Sequence, residues 1–160
     1  MQIQTADKKN KNIVEYLADS PDEKALVEAA YRFGYKLNVS TDSIIEIVTN
    51  SRKYTFKKLH VFEFDSVRKR MSVIVEDQEG KIFIYTKGAE SELISLITQG
   101  KVNETYQHID DYARQGLRTL VVACREMSKE EYAGIVKVIE EARTSLENRK
   151  EKVSANHKIL

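Results

Sequence analysis

Hydrophobic and polar positions along the chain change period several times, and each change marks an element. Residues 71–76 (MSVIVE) are rich in β-branched side chains, and residues 81–86 (KIFIYT) alternate Ile82 and Ile84 with the aromatic Phe83 and Tyr85. Both are strand patterns. Asp77-Gln78-Glu79-Gly80 supplies a polar, glycine-containing turn between them, which predicts a β-hairpin. Residues 43–49 (SIIEIVT) predict another strand, and 52–64 one long strand or two short ones. Residues 118–124 (RTLVVAC) are the most apolar strand candidate.

Helical spacing fills the intervals. Ser20 as N-cap, Pro21 at the first helical position and Glu23 in a Ser-x-x-Glu capping box open a helix. Its Leu26, Ala29, Ala30 and Phe33 share a face, and Gly34 is its stop. Leu93, Ile94 and Ile97 set helical turns within 90–98. Asn103 is the predicted cap of a helix over 104–115, with Tyr106, Ile109 and Ala113 on one face and Gly116 at its end. Ser128 and Glu131 form a second capping box, followed by a stripe of Tyr132, Ile135, Ile139, Ala142 and Leu146. Residues 13–17 are a short apolar patch of no defined type. Residues 1–12, with Lys8, Lys9 and Lys11, predict a mobile lead-in, and 151–160 a loose tail. Successive strands with short connections favour antiparallel neighbours. The whole reads as an α+β fold, a mainly antiparallel β-sheet flanked by helices, in a single domain over 1–160.

Composition narrows the function classes. A length of 160 residues suits one domain, and 41% hydrophobic with 32% charged residues is ordinary for a soluble globular chain. A net charge of +1 argues against general affinity for nucleic acid or anionic membrane. The one cysteine, Cys124, excludes an internal disulfide and suits a reducing compartment. No apolar run approaches the roughly 20 residues of a membrane span, and the N-terminus lacks an apolar signal core, so the expectation is a soluble, cytosolic polypeptide.

Several chemistries are set aside. His60, His108 and His157 are scattered, with no cysteine at metal-ligand spacing. Gly80-Lys81 and Gly100-Lys101 are followed by Ile and Val and lack the upstream glycine of a phosphate loop. Neither GxGxxG nor GxSxG occurs, and Asp110-Asp111 on a helix point in different directions. No catalytic residue and no metal site is predicted.

Four short words remain: SPDEKALV at 20–27, FEFDSVRKRMSV at 62–73, YTKGAE at 85–90 and GLRTL at 116–120. In this order and spacing they resemble the nucleotide-binding domain of P-type ATPases, most closely the phospholipid-transporting (flippase) subfamily. The resemblance covers about residues 20–125. The family's Asp-Lys-Thr-Gly phosphorylation loop and Thr-Gly-Glu dephosphorylation loop do not occur in this sequence. The chain therefore resembles the inserted ATP-holding domain alone.

The resemblance implies an ATP site beside the sheet. Phe64 would stack on adenine, with a core position as its alternative. Phe62, on the same strand face, could itself be core. Lys87 matches the Lys-Gly-Ala word near the mouth of the pocket, its alternative being a solvated lysine, and Gly88 permits close backbone approach. Lys69 and Arg118 match the basic residues at the ribose–phosphate end. Arg68 and Arg70 read more simply as a solvated basic turn. Met71 would pack on the purine or in the core. Glu23 would accept from the adenine amino group, unless its capping role is its whole role; Asp22 and Ser66 are weaker candidates. Mg²⁺ would arrive with the nucleotide and be held mostly by the phosphorylation domain.

The implied parent is a membrane-embedded pump that moves phospholipid, with this domain on its cytosolic face. Its partners would be phosphorylation and actuator domains and an accessory subunit. The isolated chain is expected to be a monomer that takes no nucleic acid and hydrolyses no ATP. The alternatives are a nucleotide-independent protein-interaction or regulatory module of the same fold, or the equivalent domain of a cation pump.

Overall fold

The computed structural model describes residues 2–5, 14–18 and 20–144. In chain order these form β1 (Gln2–Thr5), β2 (Val14–Leu17), α1 (Pro21–Arg32), β3 (Lys36–Ser40), β4 (Ile44–Val48), β5 (Lys53–Asp65), β6 (Arg70–Glu76) and β7 (Ile82–Gly88). They continue with α2 (Glu90–Leu93), a 3₁₀ turn at Ile94–Leu96, α3 (Val102–Arg114), β8 (Val121–Met127) and α4 (Lys129–Thr144). Strands β3 to β8 form one antiparallel sheet in sequence order, and β1 pairs only with β2. The α+β architecture with a mainly antiparallel sheet is the one expected.

The predicted hairpin is β6 and β7. Its turn closes through Glu79 N–H donating to Asp77 Oδ1 at 2.8 Å and Gly80 N–H to Asp77 O at 3.2 Å, with Gly80 at φ +78°. That left-handed backbone is what favours glycine there. The stretch 52–64 resolves into one long strand, β5, of 13 residues.

Within the fold the chain divides into two compact units. One comprises Met1–Leu59 with Glu76–Gly80, the other His60–Val75 with Lys81–Leu160. At about twice the usual strand length, β5 can serve two cores.

In the first unit, Ser20 Oγ accepts from Glu23 N–H at 3.2 Å and Pro21 starts α1, as the capping residues predict. Gly34 at φ +89° ends the helix, its N–H donating to Tyr31 O and that of Tyr35 to Ala30 O, both at 2.9 Å. The expected apolar face is not a core face. Phe33 lies beyond the helix and is 82% exposed. Tyr16 is buried instead, its hydroxyl donating to Leu37 O at 3.4 Å and its ring edge-on to Tyr31. Burial pushes the Tyr16 phenol pKa up. Within the expected lead-in, Gln2–Thr5 pairs antiparallel with Val14–Leu17, so strand pairing satisfies backbone groups in a segment with little to bury. Residues 6–13 and the predicted tail at 151–160 lie outside the described residues. Strand β3 has no expectation in the sequence, because Lys36, Asn38 and Ser40 dilute its pattern; pairing with β4 makes it a strand.

In the second unit the core is Ile74, Val75, Ile82, Ile84, Leu93, Ile94, Val121, Met127 and Ile135. The second capping box is reciprocal: Glu131 N–H donates to Ser128 Oγ at 3.1 Å and Ser128 N–H to Glu131 Oε2 at 2.8 Å. Helix α3 starts earlier than expected, at Val102, with Lys101 as its N-cap and no side-chain cap. Asn103 therefore sits inside the first turn. Gly116 at φ +72° follows its end. No α3 residue is fully buried, so its Tyr106, Ile109, Ala113 face is not core either. Strand β8 begins three residues later than the pattern suggests, which leaves Arg118 in the segment before it. Among the described residues no helix is long and apolar enough to cross a membrane.

Candidate functional site

Strands β5, β6, β7 and β8 alternate in direction, so the C-terminal ends of β5 and β7 and the N-terminal ends of β6 and β8 share one end of the sheet. Phe64, Ser66, Lys69, Met71, Lys87 and Gly88 all belong to this end, within the second unit. Val121 pairs with Gly88, so the preceding segment that carries Arg118 enters the sheet at the same end. Asp22 and Glu23 are in the first unit, in the opening turn of α1.

The corner is built by the turn between β5 and β6. Asp65 Oδ1 accepts from the backbone N–H of Val67 at 2.7 Å and of Arg68 at 3.1 Å. An aspartate at the first turn position makes this bond readily. Lys69 N–H then donates to Asp65 O at 2.6 Å, and Lys69 O accepts from Ala89 N–H at 3.1 Å. Lys69 is left at φ +50°, the only non-glycine with positive φ among the described residues. The turn is thus tied to the β7–α2 corner through the backbone of one lysine.

Gly88 makes that tie possible. A Cβ there would stand 2.6 Å from both Lys69 O and Arg70 Cβ, and 2.8 Å from Arg70 Cα. The protein's own backbone therefore accounts for this glycine. Ser72 and Thr86 meet through their hydroxyls at 2.9 Å, and they are buried. Both contacts imply one antiparallel register, in which Met71 stands opposite Lys87. Alternation then divides the sheet into two faces. Arg70, Ser72, Thr86 and Gly88 are on the buried face; Met71, Tyr85 and Lys87 are on the other, with Val122 and Cys124 across from the last two on β8.

Phe64 is 62% exposed at the end of β5, while Phe62 is half-buried, so Phe64 is not a core residue. Met71 and Lys87 are half-buried, and Ser66, Lys69 and Arg118 are exposed. The Lys69 ammonium lies 3.2 Å from Glu92 Oε1 on α2. Arg70 departs from a solvated turn. It is 5% exposed, begins β6, and its Nε has no hydrogen-bond partner. Burial lowers its pKa, Arg68 acts in the same direction, and Glu92 opposes them.

Three residues of the corner are not among the expected ligand contacts: Asp65 and Arg70, although both lie within the 62–73 motif, and Glu92. Asp65 has the signal of a turn-opening aspartate. Arg70 has period-two spacing to Ser72 and Ile74, which assigns it to their face. Glu92 has no signal, because its contact with Lys69 joins residues 23 apart.

A cavity of about 440 Å³ lies elsewhere, lined by Ile84, Thr86, Leu93, Leu96, Ile97 and Ala123 among others. None of the residues expected to bind ATP lines it.

The family described as P-type ATPase, cytoplasmic domain N, matches residues 3–158. Human phospholipid-transporting ATPase IH is 39% identical over 140 residues, 87% of this chain and 12% of the relative. Phospholipid-transporting ATPase C887.12 of Schizosaccharomyces pombe is 37% identical over 144 residues, covering 89% of this chain and 11% of the relative. Phospholipid-transporting ATPase DNF1 of Chaetomium thermophilum is 40% identical over 142 residues, covering 86% and 9%. The chain thus spans about a tenth of the length of these relatives. From the sheet, the four motifs and these matches together, the chain belongs to the cytoplasmic N-domain family of P-type ATPases, with phospholipid-transporting members among its relatives.

Proposed function

We propose that this chain is the ATP-holding domain of a phospholipid-translocating P-type ATPase, and that it presents the γ-phosphate to an aspartate on a separate phosphorylation domain. The observation that carries this reading is an apolar ring, Phe64, 62% exposed at a strand end beside a rigid turn with a lysine at its tip. An exposed aromatic face suits a planar base, and stacking contributes about 1–3 kcal/mol. The residues present fit a nucleoside triphosphate: a ring for the base, a soft thioether on the neighbouring strand and cations where negative charge would extend.

On this reading Phe64 stacks on adenine and Met71 packs against it, opposite Lys87 at the pocket mouth. Gly88 seats β7 against the turn, which sets the direction of Lys69. Lys69 and Arg118 take the ribose–phosphate end. Ser66 is a further candidate on the phosphate side. ATP supplies the transferable phosphoryl group and brings Mg²⁺, whose charge the phosphates share with the phosphorylation domain. With one stacked base and a few exposed charged contacts, binding is expected at about 4–6 kcal/mol, a sub-millimolar affinity. The parent would be membrane-embedded with this domain on the cytosolic side, working with actuator and phosphorylation domains and an accessory subunit.

The test is an amide-shift titration with ATP, ADP, AMP and GTP, with and without Mg²⁺, on wild type and Phe64→Ala. Shifts at Phe64, Lys69, Lys87, Gly88 and Arg118, weak with GTP and lost in the variant, are expected. No shift at millimolar ATP would overturn the reading and favour a nucleotide-independent interaction module.

A further inference from the structure

We propose that Glu92 is an internal stand-in for phosphate: its carboxylate holds the Lys69 ammonium while no nucleotide is bound, and a polyphosphate must displace it. The inference rests on the reading of this corner as the phosphate end of an ATP site. Geometry carries it. The Lys69 backbone is fixed at both its N–H and its C=O, so the side chain leaves a defined point on the turn. Its ammonium reaches Glu92 Oε1 at 3.2 Å, with the lysine side chain 53% exposed. That exposure leaves the ammonium open to an incoming anion. Ala89 N–H ties the base of α2 to the same lysine, so carboxylate and ammonium are presented from two elements that are bonded together.

Electrostatics then fixes the sign of the effect. A carboxylate within bonding distance of the cation also lies near any phosphate that the cation takes up, and like charges repel. Glu92 thus acts as a positioning residue before binding and as a competitor during it, and its effect grows with the negative charge of the ligand. Such a competitor keeps the hold on ATP weak, as suits a domain that must release nucleotide in each cycle. It also opposes the fall in the Arg70 pKa, so the same carboxylate offsets part of a buried positive charge.

The experiment is isothermal titration of the full chain with ATP, ADP, AMP and adenosine at low and high salt. The proteins are wild type, Glu92→Gln, Glu92→Asp, Lys69→Met and the Lys69→Met/Glu92→Gln double variant. Exposed ion pairs of this kind are worth about 0.2–1 kcal/mol, so Glu92→Gln should tighten ATP by about 1.4- to fivefold. The gain should be smaller for ADP, smaller again for AMP and nil for adenosine, and it should shrink at high salt. Glu92→Asp keeps the charge and should stay near wild type, which separates electrostatics from damage to the fold. In the Lys69→Met background the Gln substitution should lose its cooperative gain. An equal gain for adenosine, a weaker ATP affinity in a folded Gln variant, or a gain as large in the Asp variant would overturn the proposal while wild-type binding left the ATP site standing. If wild type bound no nucleotide, both would fall together.

Discussion

At the scale of single residues, the corner depends on an absent side chain and a buried charge. Gly88 has no room for a methyl group: the added Cβ would meet a carbonyl oxygen and a Cα at 2.6–2.8 Å, neither the flexible end of a side chain. Gly88→Ala is therefore expected to cost about 1–3 kcal/mol, as overpacking does, read from the urea midpoint. A change below about 0.5 kcal/mol would mean that the turn yields freely. Arg70 invites the opposite result. Its guanidinium is buried with Nε unpartnered, and exchanging buried charge for well-packed apolar volume is often neutral or stabilising. Arg70→Met is expected to keep or raise the unfolding midpoint; a clear loss would show that the charge supports the fold. The sequence singles out Phe64 and the Lys-Gly pair as candidates, because a motif holds them. It does not reveal that Arg70 is buried, since a run of three basic residues looks solvated until one of them falls within a strand.

At the scale of elements, local chemistry was the most legible. Both capping boxes name their helices, and the second is complete in both directions. Ser128→Ala is expected to lower stability by about 0.5–2 kcal/mol. Glu131 adds a pH dependence: the Ser128 N–H, and then Arg125, hold its carboxyl below the usual carboxylate range. A folded pKa below the unfolded value means stability that is present at neutral pH and lost as pH falls through the folded pKa. Glu131→Gln retains capping ability, so the gap between it and wild type should be constant near pH 7. It should close in acid, once the pH has fallen through the lowered folded pKa, as followed by thermal unfolding. A gap that persists there would assign the effect to shape instead of charge. Helix α3 is the counter-example: its spacing predicts a helix correctly, yet periodicity cannot say which helix face finds a partner, and Tyr106 and Tyr112 stay exposed.

At the scale of the molecule, the chain spans about a tenth of its relatives' length. Residues for phosphoryl transfer are not among its motifs, so mixing the chain with Mg²⁺ and ATP is expected to release no phosphate above buffer in a malachite-green assay. Turnover that survives purification and falls in Phe64→Ala would contradict that division of labour. The two compact units are a property of the tertiary structure alone. Strand character over 52–64 is visible in the sequence, but not that it forms one 13-residue strand whose two halves belong to different units.

By itself the sequence determines the local order of this protein: where the hairpin turns, where helices are capped, and which four motifs name the family. These depend on neighbours a few residues apart, whose chemistry is written consecutively. Only the tertiary structure decides what distant segments do to one another. It pairs Gln2–Thr5 as a strand, buries Arg70 and leaves Phe64 exposed, and it ties Lys69 to Ala89 and Glu92. The physical reason is that burial and ion pairing depend on three-dimensional proximity, and residues 23 apart become neighbours only when strands and helix meet at one end of a sheet.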